Sequence, residues 1–245
     1  MDEVKALTAD EILVERLERD EFDSAAAGGF AVVGAILKAQ GAVIRDVNAG
    51  RNLRTHLRGF FAAALVFSAV YGAIMGLFQP GLQTLYAALK VPVVVLGTAL
   101  LCTPTFYVFN SILGSRLTLA QSAAVVLLFA ASATLILVAF APIAWLFTMT
   151  TGGPAFLRIM HLLVFTIAIA FGAHVLRVTR KYLLHLDLSR TAIHAGFARL
   201  WFWIVLFVAF QMAYYFRPLV TPGPFHSGER GLFVEALGWF FRGGA

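Results

Sequence analysis

No carboxylate occurs anywhere between Val47 and Leu186. Of the thirteen acidic residues, nine lie between Asp2 and Asp23, and the others are Asp46, Asp187, Glu229 and Glu235. Proton-coupled transport through a bilayer normally uses a buried Asp or Glu, or a relay that includes His, so this gap speaks against a proton-driven transporter. Charge is scarce throughout, at 13% of 245 residues, about half the ~25% typical of a soluble domain. The single cysteine, Cys102, excludes a disulfide framework and any multi-cysteine zinc or iron–sulfur site. Gly-x-Ser-x-Gly, His-Glu-x-x-His and paired-carboxylate patterns are missing, as is a glycine-rich phosphate loop after a strand. The expectation is a protein that is not an enzyme.

What fills the chain is apolar: 60% of the residues are hydrophobic, with a mean hydropathy of +0.83. Disorder needs low hydrophobicity, so it is excluded over most of the length. The composition predicts an all-α, polytopic membrane bundle. Five stretches satisfy the requirement of about 20 mainly apolar residues per crossing. They run from Gly59 to Phe78, Val91 to Leu113, Ala120 to Phe147, Ala155 to Leu176 and Leu200 to Phe216. The chain thus divides into an interfacial helical arm (1–58), a five-span bundle (59–217) and an outer-face proline hinge with a surface helix (218–245). No soluble fold remains on which a basic face could bind nucleic acid. The acidic start, MDEVKALTADE, does not read as a cleavable signal peptide.

Lys and Arg set the expected orientation. Fourteen fall on one side: Lys5, Arg16, Arg19, Lys38, Arg45, Arg51, Arg54, Arg58, Arg116, Arg177, Arg180, Lys181, Arg190 and Arg199. Five fall on the other: Lys90, Arg158, Arg217, Arg230 and Arg242. The N-terminus is expected in the cytoplasm and the C-terminus outside, in a bacterial inner membrane. In the arm, Thr8 and Glu11 fit a capping box. A second helix from about Phe30 to Arg58 places Phe30, Val33, Leu37 and Ile44 at helical spacing. Residues 25–39 are too short and too rich in Gly and Ala for a sixth span, and Lys38 interrupts them, so a position on the membrane surface is expected. After Pro218, Pro222 and Pro224, helical spacing resumes from Glu229 to Arg242. Leu232, Phe233, Leu237 and Phe240, with Trp239 at interfacial depth, make this a surface helix for a partner or for lipid.

Within the spans a few residues stand out. Ser68, Gly72 and Gly76 recur every fourth position, the spacing that lets two helix backbones approach closely. Pro92, Pro104 and Pro142 each remove a backbone donor. Polar side chains are few: Asn110, Gln121, His161, His174 and Gln211, with hydroxyls such as Thr98, Thr103 and Thr105. His161 and His174 are thirteen residues apart, which turns them about 140° from one another on a helix. A haem or metal would therefore need His174 with His194, or His161 with His226, from neighbouring segments. No cofactor is expected, haem being the alternative. Arg51, Arg54 and Arg58 fall on one helical face just before the first span, where they would meet lipid headgroups.

Several of these residues also carry a resemblance. Tyr71-Gly72 with Gly76 is followed by Lys90-Val91-Pro92, then Leu101-Cys102, Pro104, Tyr107 through Asn110 to Gly114, and Gln211 leading to Arg217-Pro218. In this order, over roughly residues 59–220, the chain resembles bacterial multispan proteins similar to the Ypt-interacting-protein-like (Yip-like) five-span family. The resemblance implies a cytoplasmic N-terminus, five spans, no catalytic site and action through protein partners. The Asp-Leu-Tyr-Gly-Pro signature of the eukaryotic members is absent, so their Rab-type partner is not carried over.

Three functions follow as expectations. The first is a non-catalytic subunit or scaffold of a larger membrane assembly, with the bilayer and other membrane subunits or a second copy as partners. The second is a channel or transporter for a small neutral or anionic solute. The third is a haem- or quinone-binding redox subunit. The charge bias generates a direct test: a C-terminal alkaline phosphatase fusion is expected to be active and a C-terminal fluorescent-protein fusion dark. The reverse pattern would place both termini inside and revive the sixth span.

Overall fold

The computed structural model describes residues 34, 36, 37, 40–113, 115–185 and 195–216. Among them it contains six helices and no strand: α1 (Gln40–Ala49), α2 (Leu53–Gly76), α3 (Leu82–Ile112), α4 (Leu119–Thr150), α5 (Pro154–His185) and α6 (Ala195–Tyr215). Five are long and apolar enough to cross a bilayer, α2 through α6. By length and composition the chain is an integral membrane protein of the expected all-α class. The expected C-terminal surface helix with Leu232, Phe233, Leu237, Trp239 and Phe240 falls outside the described residues, as do the expected Thr8–Glu11 capping box, His194 and His226.

Helix ends follow local chemistry more closely than the apolar runs did. The arm helix expected to continue to Arg58 stops at Ala49. Gly50 adopts φ 71° and Asn52 φ 49°, left-handed values that Gly and Asn tolerate best. Gly50 N–H donates to the Val47 carbonyl at 3.2 Å and Arg51 N–H to the Asp46 carbonyl at 2.8 Å. This pair of bonds is a Schellman closure. Arg51 therefore lies in the turn, and Arg54 and Arg58 start α2 instead of ending the arm. α4 opens with a capping box, in which Thr118 Oγ1 accepts from Gln121 N–H and Gln121 Oε1 accepts from Thr118 N–H. Gln121 thus belongs to a helix end, not to a membrane-buried polar site.

α3 begins at Leu82, well before Val91, so Lys90 and Pro92 lie inside the helix. The Leu-Gln-Thr-Leu-Tyr-Ala-Ala-Leu run carries good helix formers and no breaker. Both α3 and α4 continue through their prolines, as membrane helices can when neighbours re-satisfy the freed backbone groups.

α2 packs most extensively on α3 and α4. A Cβ at Gly72 would collide with the Ala87 carbonyl, and one at Gly76 would meet Thr84 Cα at 2.6 Å and Gln83 O at 2.8 Å. The small-residue face is therefore occupied by α3 of the same chain. Ser68, fully buried, returns its hydroxyl to the Ala64 carbonyl. Two apolar cores form along the bundle, one around Phe60, Cys102, Phe106, Phe129 and Trp201, the other around Tyr71, Met75, Leu137, Leu157 and Val164.

α1 packs against the bundle. Val43 and Val47 are buried in the first core, and Ile44 is buried as well. Arg45 Nη1 donates to Tyr182 Oη at 2.6 Å, and Gln121 Nε2 donates to the Asn48 carbonyl at 2.6 Å. The arm thereby closes one end of the bundle against α4 and α5.

Replacing Gly72 by Val drives a branched side chain into the Ala87 backbone, a change expected to cost about 1–3 kcal/mol or more. Thermal unfolding in detergent is expected to show a lowered midpoint for Gly72→Val. Gly152→Ala, where an added Cβ meets nothing, is the matched control and should leave the midpoint unchanged.

Candidate functional site

α6 packs on α3, while α5 packs on α4, and α5 and α6 scarcely touch. Ridges that fail to interdigitate leave space, and here the space is a cavity of about 790 Å³ bounded by α3, α4, α5 and α6. Ligand pockets usually enclose about 300–1,000 Å³. Apolar side chains dominate the wall, among them Val95, Phe129, Leu137, Phe165, Phe202 and Phe210. The cavity extends from Arg158 and Ala213, near one end of the bundle, to Trp201 and Cys102 deeper in.

α6 is fixed to α3 at the deep end. Trp201 is fully buried, donates Nε1–H to the Cys102 carbonyl at 3.2 Å, and meets Phe106 edge-on with centroids 4.8 Å apart. Phe109 and Phe197 stack at 5.5 Å in the same seam. At the other end Met212 reaches Gly97, where a Cβ would lie 2.8 Å from its terminal methyl.

Polar groups in this wall are sparse and unusually placed. His161 is 2% exposed. Its Nδ1 lies 2.9 Å from the Tyr71 hydroxyl, and its Nε2 has no hydrogen-bond partner. With Tyr71 O–H donating to Nδ1, both of those groups are satisfied and Nε2 carries the remaining N–H. The opposite tautomer would leave the phenol proton unmet as well, so it is the poorer arrangement. Thr98 is buried, and its hydroxyl has no partner. By contrast Thr103, Thr134, Thr148, Thr166 and Thr179 each return a hydroxyl to the carbonyl four residues earlier. Arg158 sits three residues before His161 on α5, exposed at the rim.

The sequence candidates divide accordingly. His161 lines the cavity, whereas His174 faces outward on the same helix, and the two do not converge. Among the described residues no group of three or more His, Cys, Asp or Glu is clustered to hold a metal. Arg51, Arg54 and Arg58 are exposed at the end opposite Arg158, and Arg51 Nε lies 3.3 Å from Asp46 Oδ1. Asn110 is buried with both side-chain atoms unpartnered.

Sequence reasoning missed three features. Lys90, counted there as a loop charge, is fully buried in α3, with its ammonium 6.0 Å from the Tyr86 ring centroid. The i, i+4 spacing of Tyr86 and Lys90 was the available signal. Asp46 and His56 are both buried, with Oδ2 and Nε2 3.5 Å apart. The turn at Gly50–Asn52 folds α1 back on α2, and no linear spacing reveals that approach. Tyr71 and His161 lie ninety residues apart, beyond the reach of any periodicity.

Comparison with protein-family models, with curated proteins and with solved structures finds no match. The functional reading therefore rests on the geometry alone.

Tyr71→Phe strands His161 Nδ1 in an apolar wall and is expected to cost about 1–3 kcal/mol. A double-mutant cycle with His161→Leu, read from unfolding in detergent, should return a coupling of about 0.5–1.5 kcal/mol. A coupling near zero would mean that the two side chains do not hold one another.

Proposed function

We propose that this chain is a non-catalytic integral membrane subunit or scaffold whose bundle is completed by a second apolar molecule. One observation carries the reading: α5 and α6 are splayed apart over a cavity of about 790 Å³. Protein interiors are close-packed, and lining atoms without partners forfeit their dispersion contacts. A bundle with such a gap gains when a lipid-like molecule or a partner helix fills it. The wall offers little to a hydrophilic solute, so a channel for small neutral or anionic solutes finds less support. Lipid tails are as apolar as the wall, so shape and the few polar groups govern which molecule is retained.

The finer placement belongs to the same proposal. With Lys90 buried, Arg158 is the described basic residue at the cavity end, while Arg45, Arg51, Arg54, Arg58, Arg116 and Arg199 gather at the other. This supports a cytoplasmic position for the α1 end in a bacterial inner membrane. A relationship to the Yip-like group fits five spans with a cytoplasmic arm. It remains part of the proposal.

Filling the gap from within tests the reading. Ala133→Leu with Ala209→Leu places two larger side chains in the cavity wall. Protein purified in mild detergent is expected to carry bound lipid-like molecules or a co-eluting membrane chain, and the double variant is expected to lose most of it while staying monodisperse. A wild-type protein that carries neither would overturn the proposal.

A further inference from the structure

His161 and Thr98 both line one cavity, and His161 Nε2 and the Thr98 hydroxyl are buried without hydrogen-bond partners. A buried unmet donor is expensive, and the expense is larger in a membrane interior where no water reaches it. Elsewhere in the bundle the threonine hydroxyls named above are returned to their own helices, so the exception at Thr98 is local. With Tyr71 donating to Nδ1, His161 carries an unpaired N–H at Nε2. Thr98 can present an O–H. Two donors without an acceptor define what is missing: oxygen atoms with lone pairs on an otherwise apolar body.

We propose that the cavity is a binding site for a long-tailed apolar molecule bearing carbonyl oxygens, which accept hydrogen bonds from His161 and Thr98. This rests on the reading of the bundle as incomplete without an apolar occupant, and adds its chemical class. His161 lies near the cavity end that holds Arg158, and Thr98 lies further along α3 toward Cys102, so the donors serve oxygens at two depths. Two membrane molecules share this chemistry, an isoprenoid quinone through its ring carbonyls and a phospholipid through its ester carbonyls. Arg158 separates them, since a phospholipid would bring its phosphate to the rim and a quinone would not.

Trp201 provides the readout. It lines the cavity fully buried, whereas Trp145 and Trp203 are exposed on the outer surface. The full chain in detergent micelles is titrated with decylubiquinone in one arm and with a phosphatidylglycerol brominated on its acyl chains in the other. Both probes quench tryptophan fluorescence, and the part of the quench lost in Trp201→Phe reports the cavity. At least one probe is expected to bind. His161→Leu and the shape-conserving Thr98→Val should each weaken that probe about tenfold, the loss of one hydrogen bond of about 1.4 kcal/mol. His161→Gln, which keeps a donor, should restore part of the affinity. Arg158→Gln should weaken the brominated lipid and leave decylubiquinone unchanged. If a probe binds in the cavity and both His161→Leu and Thr98→Val bind it as wild type does, the carbonyl site is wrong and the apolar-occupant reading survives. If neither probe changes the Trp201 signal, the carbonyl site is wrong, and the apolar-occupant reading is decided by the co-purification experiment above.

Discussion

The close approach of α2 to α3 is the constraint on which the other placements depend. Lipid tails are as apolar as leucine, so helices in a bilayer associate through fit instead of through exclusion from water. Gly72 and Gly76 remove the side chains that would hold α3 away, and α3 settles with the Ala87 and Gln83 carbonyls against them. Tyr71, beside Gly72, is then turned toward α5 and takes His161 as its partner. Because α4 packs on another part of α2, and α5 packs on α4 through Gly172 against Phe129, the position of α5 is fixed without help from α6. The ring of His161 is thus oriented by a contact whose origin is a pair of glycines on another helix.

α6 has no equivalent anchor on α5. Its attachment is to α3, and of the five spans it is the least buried. The aromatic cluster of Phe106, Phe197 and Trp201 holds one end firmly. Aromatic pairs of this kind contribute about 0.5–1.5 kcal/mol each beyond their burial, enough to fix a helix at one end without bringing its other side against α5. The gap is therefore a consequence of where the large rings lie, and its apolar wall follows from the same rule that makes the spans apolar.

The fold was legible in the sequence to the extent that it is governed by composition. Five spans and an all-α bundle follow from runs of apolar residues that a soluble chain could not carry. Helix ends were less legible, because they depend on backbone chemistry that hydropathy ignores. Asn48-Ala49-Gly50 closes α1, and Thr118 with Gln121 opens α4. Both signals were in the residues, yet the apolar runs on either side outweighed them. Lys90 was misplaced for the opposite reason: a charged residue was read as the edge of a span, although its long apolar stem lets it run inside the bundle beside Tyr86. The glycine spacing on α2 could be read as a close contact. Its partner, α3, could not be read, nor could the meeting of Tyr71 with His161. Such contacts depend on which helix neighbours which, and no local pattern encodes that choice.

The two ends of the bundle are held together by different contacts. At the α1 end, Arg45 with Tyr182, Gln121 with the Asn48 carbonyl, and Arg51 with Asp46 tie three helices and a turn together through polar contacts. These contacts have fixed directions and resist sliding. At the Arg158 end α2 and α4 each lead into the next helix through a short turn. There Met212 of α6 lies against Gly97 of α3. A methionine is unbranched and adapts to a changed spacing more readily than a β-branched side chain. The α3–α6 seam is therefore held by ring packing and an N–H···O bond at Trp201 and by an adaptable side chain at Met212.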